Sequence, residues 1–372
     1  MEDMVMNRAF WKGKSVFLTG HTGFKGSWFS LWLQHLGACV SGYALAPESG
    51  ECLYHQARVG ERLHTTYGDV RDGERLHTAI TWAKPEIALH FAAQPLVRAS
   101  YQNPAYTFAV NVMGTVNFLE AIRRTPSVRV AVVVTSDKCY ENREWRRGYR
   151  ESDRMGGSDP YSCSKGCAEL VTSAYRRSFF ENGRVAVATV RAGNVMGGGD
   201  WAEDRLVPDL VRAFAGGRMV KLRYPKAVRP WQYVLDPLRG YMMLVQHLWQ
   251  AGATYSTAWN FGPGDEAAFT VEDVVREAAG RWGPGASWDV DRSSQPRESQ
   301  HLKLDCSQAC SQLGWIPLFE LETALDWTLS WYLAHHSGNA DMRAFSQAQI
   351  AAYEDLLAVA PGQTKSCRRR SA

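Results

Sequence analysis

A chain of 372 residues with 45% apolar and 22% charged residues is far from the composition of disordered segments and long enough to build two lobes around real cores. Its formal net charge of +4 is small for this length, and the one dense basic run, Arg368, Arg369 and Arg370, stands at the C-terminal end, so neither nucleic acid nor a membrane is an expected partner. Glu2 and Asp3 stand where an export signal carries basic residues, and no apolar run is long enough to span a bilayer, so a cytoplasmic protein is expected.

The first half alternates short β-rich runs with amphipathic stretches, the pattern of βαβ units and a parallel sheet covered on both faces. Residues 15–19 form the first predicted strand. Gly20-His21-Thr22-Gly23-Phe24-Lys25-Gly26 follows it directly and opens a helix running to about Leu36 and stopped by Gly37. At this spacing the first glycine allows a tight turn, the second lets the backbone approach a pyrophosphate and the third lets helix and strand pack closely, while the helix N-terminus offers free N–H groups. Residues 38–43 form the next strand, ending at Ala44 where an acid commonly meets the adenosine ribose of NAD. Ala44-Leu45-Ala46-Pro47 supplies neither that carboxylate nor a basic group for the 2′-phosphate of NADP, so NAD is expected, held without its usual anchor. Asp69, in Gly68-Asp69-Val70, offers a carboxylate to the adenine edge, with a plain exposed turn residue as the equal alternative.

Further strands are expected over 87–91, 128–134 and 185–190, with one helix beginning beyond Asn103-Pro104 and another over 161–179, capped by Ser158 or Asp159 with Pro160 in its first turn. Tyr161 and Lys165 stand four apart, so a phenol and an ammonium share one helix face, where the Lys charge favours phenolate and suits Tyr161 to act as a general base. Ser136 ends an upstream strand. After Asn194 the pattern changes, with Gly197-Gly198-Gly199 and Gly216-Gly217 interrupting it and Trp becoming frequent, and the domain boundary is expected there. The eight cysteines form no close C-x-x-C pair; Cys163/Cys167 and Cys306/Cys310 are each four apart, but no histidine stands at ligand spacing, so reduced thiols and no metal are expected.

Together the glycine-rich turn, the Tyr161/Lys165 pair and the upstream Ser136 resemble the extended short-chain dehydrogenase/reductase family. Thr135-Ser136-Asp137-Lys138-Cys139-Tyr140 is similar to the segment of nucleotide-sugar 4,6-dehydratases that carries Thr-Asp-Glu, here Ser136, Asp137 and Lys138. Segments 90–98, 111–115, 191–201 and 229–232 resemble the branch that takes CDP-glucose, and the resemblance runs from about Phe10 to about Trp331. It implies an α/β fold, a Rossmann-type doubly wound parallel sheet with a smaller, mixed α/β C-terminal lobe. The NAD-binding domain would span 1–193 with a return segment near 229–262, and the nucleotide-sugar-binding domain 194–228 and 263–372.

The resemblance further implies NAD held by Gly20, Thr22, Gly23, Phe24, Lys25, Gly26, Asp69, Val70, Ala92, Ala93, Asn111, Tyr161 and Lys165, with Asn111 supporting the catalytic Lys165. It implies CDP-glucose contacting Gln94, Arg98, Asn194, Arg229 and Arg297, and a homodimer or homotetramer. For Arg229 and Arg297 a structural ion pair is the alternative, and for Asn111 a buried amide serving its own backbone. The catalytic set is Ser136, Asp137, Lys138, Tyr161 and Lys165: Tyr161 takes the proton of the sugar 4-hydroxyl and Asp137 protonates the departing 6-hydroxyl. Lys138 stands where a Glu is usual and acts as a base only when neutral, while Asp137 acts as an acid only when protonated, so an ion pair between them would push both the wrong way. Neighbouring residues on a strand also point to opposite faces, so both reach one sugar only where the strand has already turned. The alternatives are a dehydratase for another nucleotide sugar, a 4-epimerase, which needs Tyr161 and Lys165 but no acid for a leaving hydroxyl, and a non-catalytic NAD-binding protein.

Overall fold

The apolar runs become the strands of one parallel sheet in the computed structural model, which describes residues 7–47, 50–181, 183–264, 269–291, 293 and 301–359. In chain order the principal elements are β1 (Ser15–Thr19), α1 (Phe24–His35), β2 (Cys39–Ala44), β3 (His64–Tyr67), α2 (Gly73–Ala83), β4 (Ile87–His90), α3 (Gly114–Arg124), β5 (Val130–Val134), α4 (Pro160–Phe179) and β6 (Ala186–Ala192). There follow α5 (Leu206–Ala215), α6 (Leu235–Ala251), β7 (Ala258–Phe261), α7 (Val271–Trp282), α8 (Leu321–His336) and α9 (Met342–Val359). The sheet order is β7-β6-β5-β4-β1-β2-β3, with every pairing parallel. The chain moves outward on one side of β1 and then returns to build the other side, so the strand order reverses at β1 and a crevice opens beyond the carboxyl ends of β1 and β4.

Every residue of β4, β5 and β6 is buried, because helices cover both faces, and this is why those strands read as continuous apolar runs without alternation. The period of two still sorts side chains between the layers. Val16 and Leu18 face the core shared with Trp28 and Trp32 of α1 and Leu238 and Leu244 of α6, whereas Phe17 faces Leu76 and Ile80 of α2 and Phe118 of α3. The helix expected beyond Pro104 is broken: Pro104–Phe108 passes through a π turn at Ala109–Met113 before α3 begins. The side chain of Asp159 accepts from Ser162 N and Pro160 fills the first turn, so α4 starts as its sequence signals it.

The C-terminal helices close the assembly onto α1 and α6. Tyr353 donates to Asp236 Oδ1 at 2.7 Å, which also accepts from Leu318 N at 2.7 Å, and Trp32 Nε1 donates to Glu354 Oε1 at 2.7 Å. A second buried network joins β5, α4, β6 and β7. Glu169 Oε1 accepts from Thr135 Oγ1 at 2.5 Å and Arg191 Nε at 2.8 Å, and Oε2 accepts from Thr189 Oγ1 at 2.7 Å and Arg191 Nη2 at 2.8 Å. Arg191 Nη1 donates to the Tyr140 hydroxyl, which in turn donates to Asn260 Oδ1 on β7, both at 2.7 Å. Burial alone would raise the Glu169 carboxyl, but the charge and hydrogen bonds of Arg191, with those of Thr135 and Thr189, hold it below the ordinary carboxylate range.

A buried pair satisfied this fully is costly to break on one side. Arg191→Met leaves Glu169 unpaired and should lower stability by about 3–5 kcal/mol, and the double variant Glu169→Leu/Arg191→Met, which removes both charges, should unfold at a higher urea concentration than the single variant. Equal midpoints for the two would show that the charges do not depend on one another.

Candidate active site

The glycine-rich turn between β1 and α1 is shaped by close backbone approach. Gly20 has φ +74°, and a Cβ there would stand 2.6 Å from Ala92 N; at Gly26 it would stand 2.1 Å from Gly20 O. At Gly23, by contrast, a Cβ would meet nothing nearer than Gly20 O at 3.5 Å, so the turn is open on the side where a pyrophosphate can approach the first N–H groups of α1. The turn forms one wall of a cleft of about 740 Å³ that continues past Ala44, Val70, Ala92 and Ala93 to Asn194 and Arg229. Thr22 spends its hydroxyl on Leu45 O at 3.2 Å. Ala44 lies at the end of β2 and Leu45 beyond it is exposed, so the carboxylate missing from the sequence is missing from the wall as well. Asp69 lines the cleft, but Arg71 occupies its carboxylate through N at 2.9 Å, Nε at 2.9 Å and Nη2 at 2.6 Å. The side chain expected at the adenine edge is therefore committed to its own turn.

Ser136, Asp137, Lys138, Tyr161 and Lys165 converge on the far wall of the same cleft. β5 stops at Val134; Ser136 is extended and caps a single 3₁₀ turn, Asp137–Cys139. The strand has thus already turned where the two adjacent ionisable residues lie, and both line one cavity. Asp137 is 2% exposed, with Oδ1 accepting from Ser136 Oγ at 3.0 Å and Oδ2 without a hydrogen-bond partner, so neither oxygen is bonded to Lys138. Gly193 makes room for Oδ2, since a Cβ there would stand 2.9 Å from it. Burial raises the Asp137 carboxyl above its ordinary range against the pull of Lys138, Ser136, Arg229 and Lys25. The direction is that of a carboxylic acid kept protonated for work as a proton donor.

Tyr161 and Lys165 are both buried on the inner face of α4. The phenol is pushed up to about 12, by burial first and by the Asp137 charge, against hydrogen bonding from Ser136 and the charge of Arg205. Lys165 is pushed down to about 7 by burial and by the nearby charge of Lys25, and its Nζ donates to Val134 O at 3.3 Å. The expected lowering of the phenol by Lys165 is therefore not what this arrangement produces: an ammonium that is itself desolvated and turned to a carbonyl contributes less than burial takes away. Lys25, whose side chain also lines the cleft, is pushed down to about 8 by burial and by Arg205.

Among the expected substrate contacts, Arg98, Asn194 and Arg229 line the cleft. Gln94 is turned into the protein, its amide donating to Thr107 Oγ1 at 2.8 Å and accepting from Leu96 N at 2.6 Å, because the loop after β4 needs those partners. Asn111 sits in the π turn, accepts from Gln94 N at 2.8 Å and donates to Gln94 O at 3.0 Å and Ser164 Oγ at 2.8 Å. It holds the residue before Lys165 and the loop above it, and does not bond Lys165 itself. Arg297 lies outside the described residues.

Asp200, Arg205 and Trp231 are among the cleft residues not read from the sequence. Arg205 pairs with Asp200 at 2.9 Å, and the loop carrying them is pinned by Tyr332 of α8, which donates to Asp200 O at 2.5 Å. Trp231 follows Arg229 along the wall, and its buried Nε1 has no partner. The Gly-Gly-Gly-Asp-Trp and Arg-Pro-Trp-Gln strings were the available signals, but neither says which side chain turns inward. Among the described residues no group of three or more His, Cys, Asp or Glu side chains is placed to hold a metal, and no helix is long and apolar enough to cross a membrane.

Known proteins share both the sequence and the architecture. A family profile described as GDP-mannose 4,6 dehydratase matches residues 17–328. The CDP-glucose 4,6-dehydratase of Salmonella typhimurium is 50% identical over 354 residues, 94% of this chain and 98% of that protein, and the dTDP-glucose 4,6-dehydratase of the same organism is 25% identical over 68% of this chain and 73% of that one. In architecture the chain is similar to the dTDP-glucose 4,6-dehydratase DesIV of Streptomyces venezuelae, solved with NAD bound, at a TM-score of 0.75 and 22% identity over 87% of this chain and 98% of that one. It is similar also to the epimerase Mth375 of Methanothermobacter thermautotrophicus, at 0.78 and 21% over 92% and 98%. The shared fold spans epimerases and dehydratases alike; the sequence match over nearly the whole chain is what narrows it, and it shows that the chain belongs to the GDP-mannose 4,6-dehydratase family of nucleotide-sugar enzymes.

Proposed function

We propose that the chain is an NAD-dependent 4,6-dehydratase that converts CDP-glucose to CDP-4-keto-6-deoxyglucose and water. The observation that carries this reading is the single cleft in which Ser136, Asp137, Lys138 and Tyr161 face the dinucleotide turn, in a chain half identical to a CDP-glucose 4,6-dehydratase. The open side of Gly23 and the unfilled first turn of α1 suit a dinucleotide diphosphate, with Phe24, Lys25, Val70, Ala92 and Ala93 as further walls. When bound, NAD supplies the hydride acceptor for C4 and the hydride donor for C6.

Tyr161, in its phenolate form, takes the proton of the sugar 4-hydroxyl as C4 is oxidised. The resulting ketone acidifies the C5 hydrogen, and Lys138 removes it from the place where related dehydratases carry Glu. Asp137, held protonated by burial, gives its proton to the departing 6-hydroxyl, a contribution of about 10²–10⁴ in rate for a positioned general acid. Arg98, Asn194 and Arg229 face the nucleotide diphosphate, where a guanidinium binds oxygens in pairs. An epimerase has no hydroxyl to expel and no use for a protonated Asp137. On the same reading the product feeds deoxyhexose synthesis for cell-surface polysaccharide of the O-antigen type, in the cytoplasm. Met113, Leu170 and Phe179 stand exposed around α3 and α4, which supports a homodimer or homotetramer.

Purified protein incubated with CDP-, dTDP-, UDP- and GDP-glucose should form the alkali-induced ultraviolet band of a 4-keto-6-deoxy sugar with CDP-glucose far above the rest; turnover of another nucleotide first would redirect the substrate assignment. Ala44→Asp, which adds the absent ribose anchor, should tighten NAD about ten- to a hundredfold in a direct titration, the worth of one charge-assisted hydrogen bond of roughly 1.5–3 kcal/mol. Lys138→Ala should nearly stop exchange of the C5 hydrogen with solvent deuterium, and normal exchange would move the base to another residue.

A further inference from the structure

Three charged side chains from separate segments of the chain meet at the rim of the cleft, and two of them, Asp204 and Arg223, have no part in the chemistry described so far. Arg98 Nη1 stands 3.6 Å from Asp204 Oδ1, and Arg223 Nη1 donates to the same oxygen at 2.6 Å. Arg98 belongs to the short helix Val97–Gln102 that follows β4, and Asp204 to the segment between β6 and α5. Arg223 directly follows the strand Val220–Leu222, which pairs with Trp288–Val290 apart from the main sheet. All three residues line the cleft. Their side chains are 34% exposed for Arg98, 39% for Asp204 and 24% for Arg223, so the triad lies at the edge of the cavity and not in its floor.

The carboxylate is the fixed member of the three. Its segment is held by Tyr332 at Asp200 O, by the pair of Asp200 with Arg205, and by Trp201 Nε1, which donates to Gln56 Oε1 at 2.9 Å. Asp204 itself has φ +60°, a conformation that aspartate and asparagine adopt more readily than most residues. The arginines are long side chains with several rotatable bonds, and each carries a planar fork suited to two oxygens at once. Two guanidiniums brought this close repel one another unless an anion stands between them. Asp204 is that anion, yet it offers both forks the same single oxygen, and Arg223 Nη2 reaches Asp204 O only at 3.5 Å. A diphosphate has more charge than a carboxylate and enough oxygens to fill two forks.

We propose that Asp204 stands in for the diphosphate of the nucleotide sugar: it holds Arg98 and Arg223 together at the cleft rim between turnovers and gives both up when the diphosphate enters. The exchange breaks two ion pairs and no covalent bond. Substrate and product displace the same carboxylate, so each binds less tightly than the two arginines alone would allow, and the carboxylate returns as the product leaves. Weakening substrate and product alike in this way lowers the retention of both without touching the groups that act at C4, C5 and C6. The assignment rests on the nucleotide-sugar reading of the cleft and adds to it Asp204 as a positioning residue and Arg223 as a further diphosphate contact.

Calorimetric titration of the full-length, NAD-loaded protein with CDP and with cytidine, at one fixed ionic strength, tests the exchange. Asp204→Asn keeps the size and backbone preference of the residue and removes its charge, so it should bind CDP about three- to tenfold more tightly than wild type, the worth of two half-exposed ion pairs that no longer have to be broken. Cytidine, which has no phosphate, should bind the two proteins equally. Asp209→Asn removes the same charge from the same cleft but releases only Arg212, which does not line it, and should change CDP binding by less than about twofold. Arg223→Gln alone should weaken CDP and not cytidine, and in that background the gain from Asp204→Asn should fall below about twofold, because the shorter of the two pairs is already gone. Equal gains from Asp204→Asn and Asp209→Asn, an equal gain with and without Arg223, cytidine tightened along with CDP, or CDP binding by Asp204→Asn no tighter than by wild type would each overturn the exchange and leave the dehydratase reading intact. A wild type that binds CDP but forms no 4-keto product from CDP-glucose would overturn the dehydratase reading and leave the exchange standing, and one that binds no CDP would overturn both.

Discussion

The ion pair between Glu169 and Arg191 is the constraint on which the catalytic geometry depends. It lies at the point where α4, β5 and β6 meet, and each carboxylate oxygen is shared between the guanidinium and a threonine, Thr135 just beyond β5 for one and Thr189 on β6 for the other. Thr135 directly precedes Ser136, and Glu169 lies two helical turns beyond Tyr161 on α4, one turn beyond Lys165. Fixing Thr135 against Glu169 therefore fixes the phenol and the ammonium against the turn that carries Asp137 and Lys138. A hydrophobic contact in the same place would hold the layers together but would allow them to slide, because dispersion and burial are non-directional. A bidentate, fully satisfied pair does not slide without breaking.

Burial then sets the chemistry of the cleft in opposite senses for opposite charges. It raises Asp137 and Tyr161 and lowers Lys165 and Lys25, so each is driven towards its neutral form. Asp137 is raised despite the charge of Lys138 because the 3₁₀ turn buries the carboxyl, and neither Asp137 oxygen is bonded to the half-buried amine. The difficulty posed by two adjacent residues of opposite charge is solved by backbone geometry, and the small Gly193, just beyond the end of β6, leaves the space that the solution needs.

Local chemistry was legible in the sequence, and long-range partnership was not. The glycines of the dinucleotide turn, the Tyr161/Lys165 spacing and the β-rich runs each report a constraint carried by a few consecutive residues, and the structure has them as read apart from shifts of a residue or two at strand ends. Gln94, Asn111 and Asp69 show where that stops. Each is a polar residue in a segment that resembles a site, yet each spends its hydrogen bonds on neighbouring protein, and only the folded chain determines whether a polar group faces a cavity or a backbone. Arg205 failed in the other direction, since its entry into the cleft depends on the anchoring of Asp200 by Tyr332, more than a hundred residues away in sequence.

The placement of α9 bears on how the chain is made. Trp32, in the first helix, packs edge-on against Tyr353 with ring centroids 5.6 Å apart and bonds Glu354, and the outermost strand on the β6 side is completed only by residues 258–261. During vectorial synthesis on the ribosome the dinucleotide half therefore emerges with one sheet edge open and an indole-rich helix face uncovered. The edge closes once residues 258–261 have emerged, but the helix face stays uncovered until α9 has left the exit tunnel, and for that interval the nascent chain is a client for chaperones that shield exposed apolar surface.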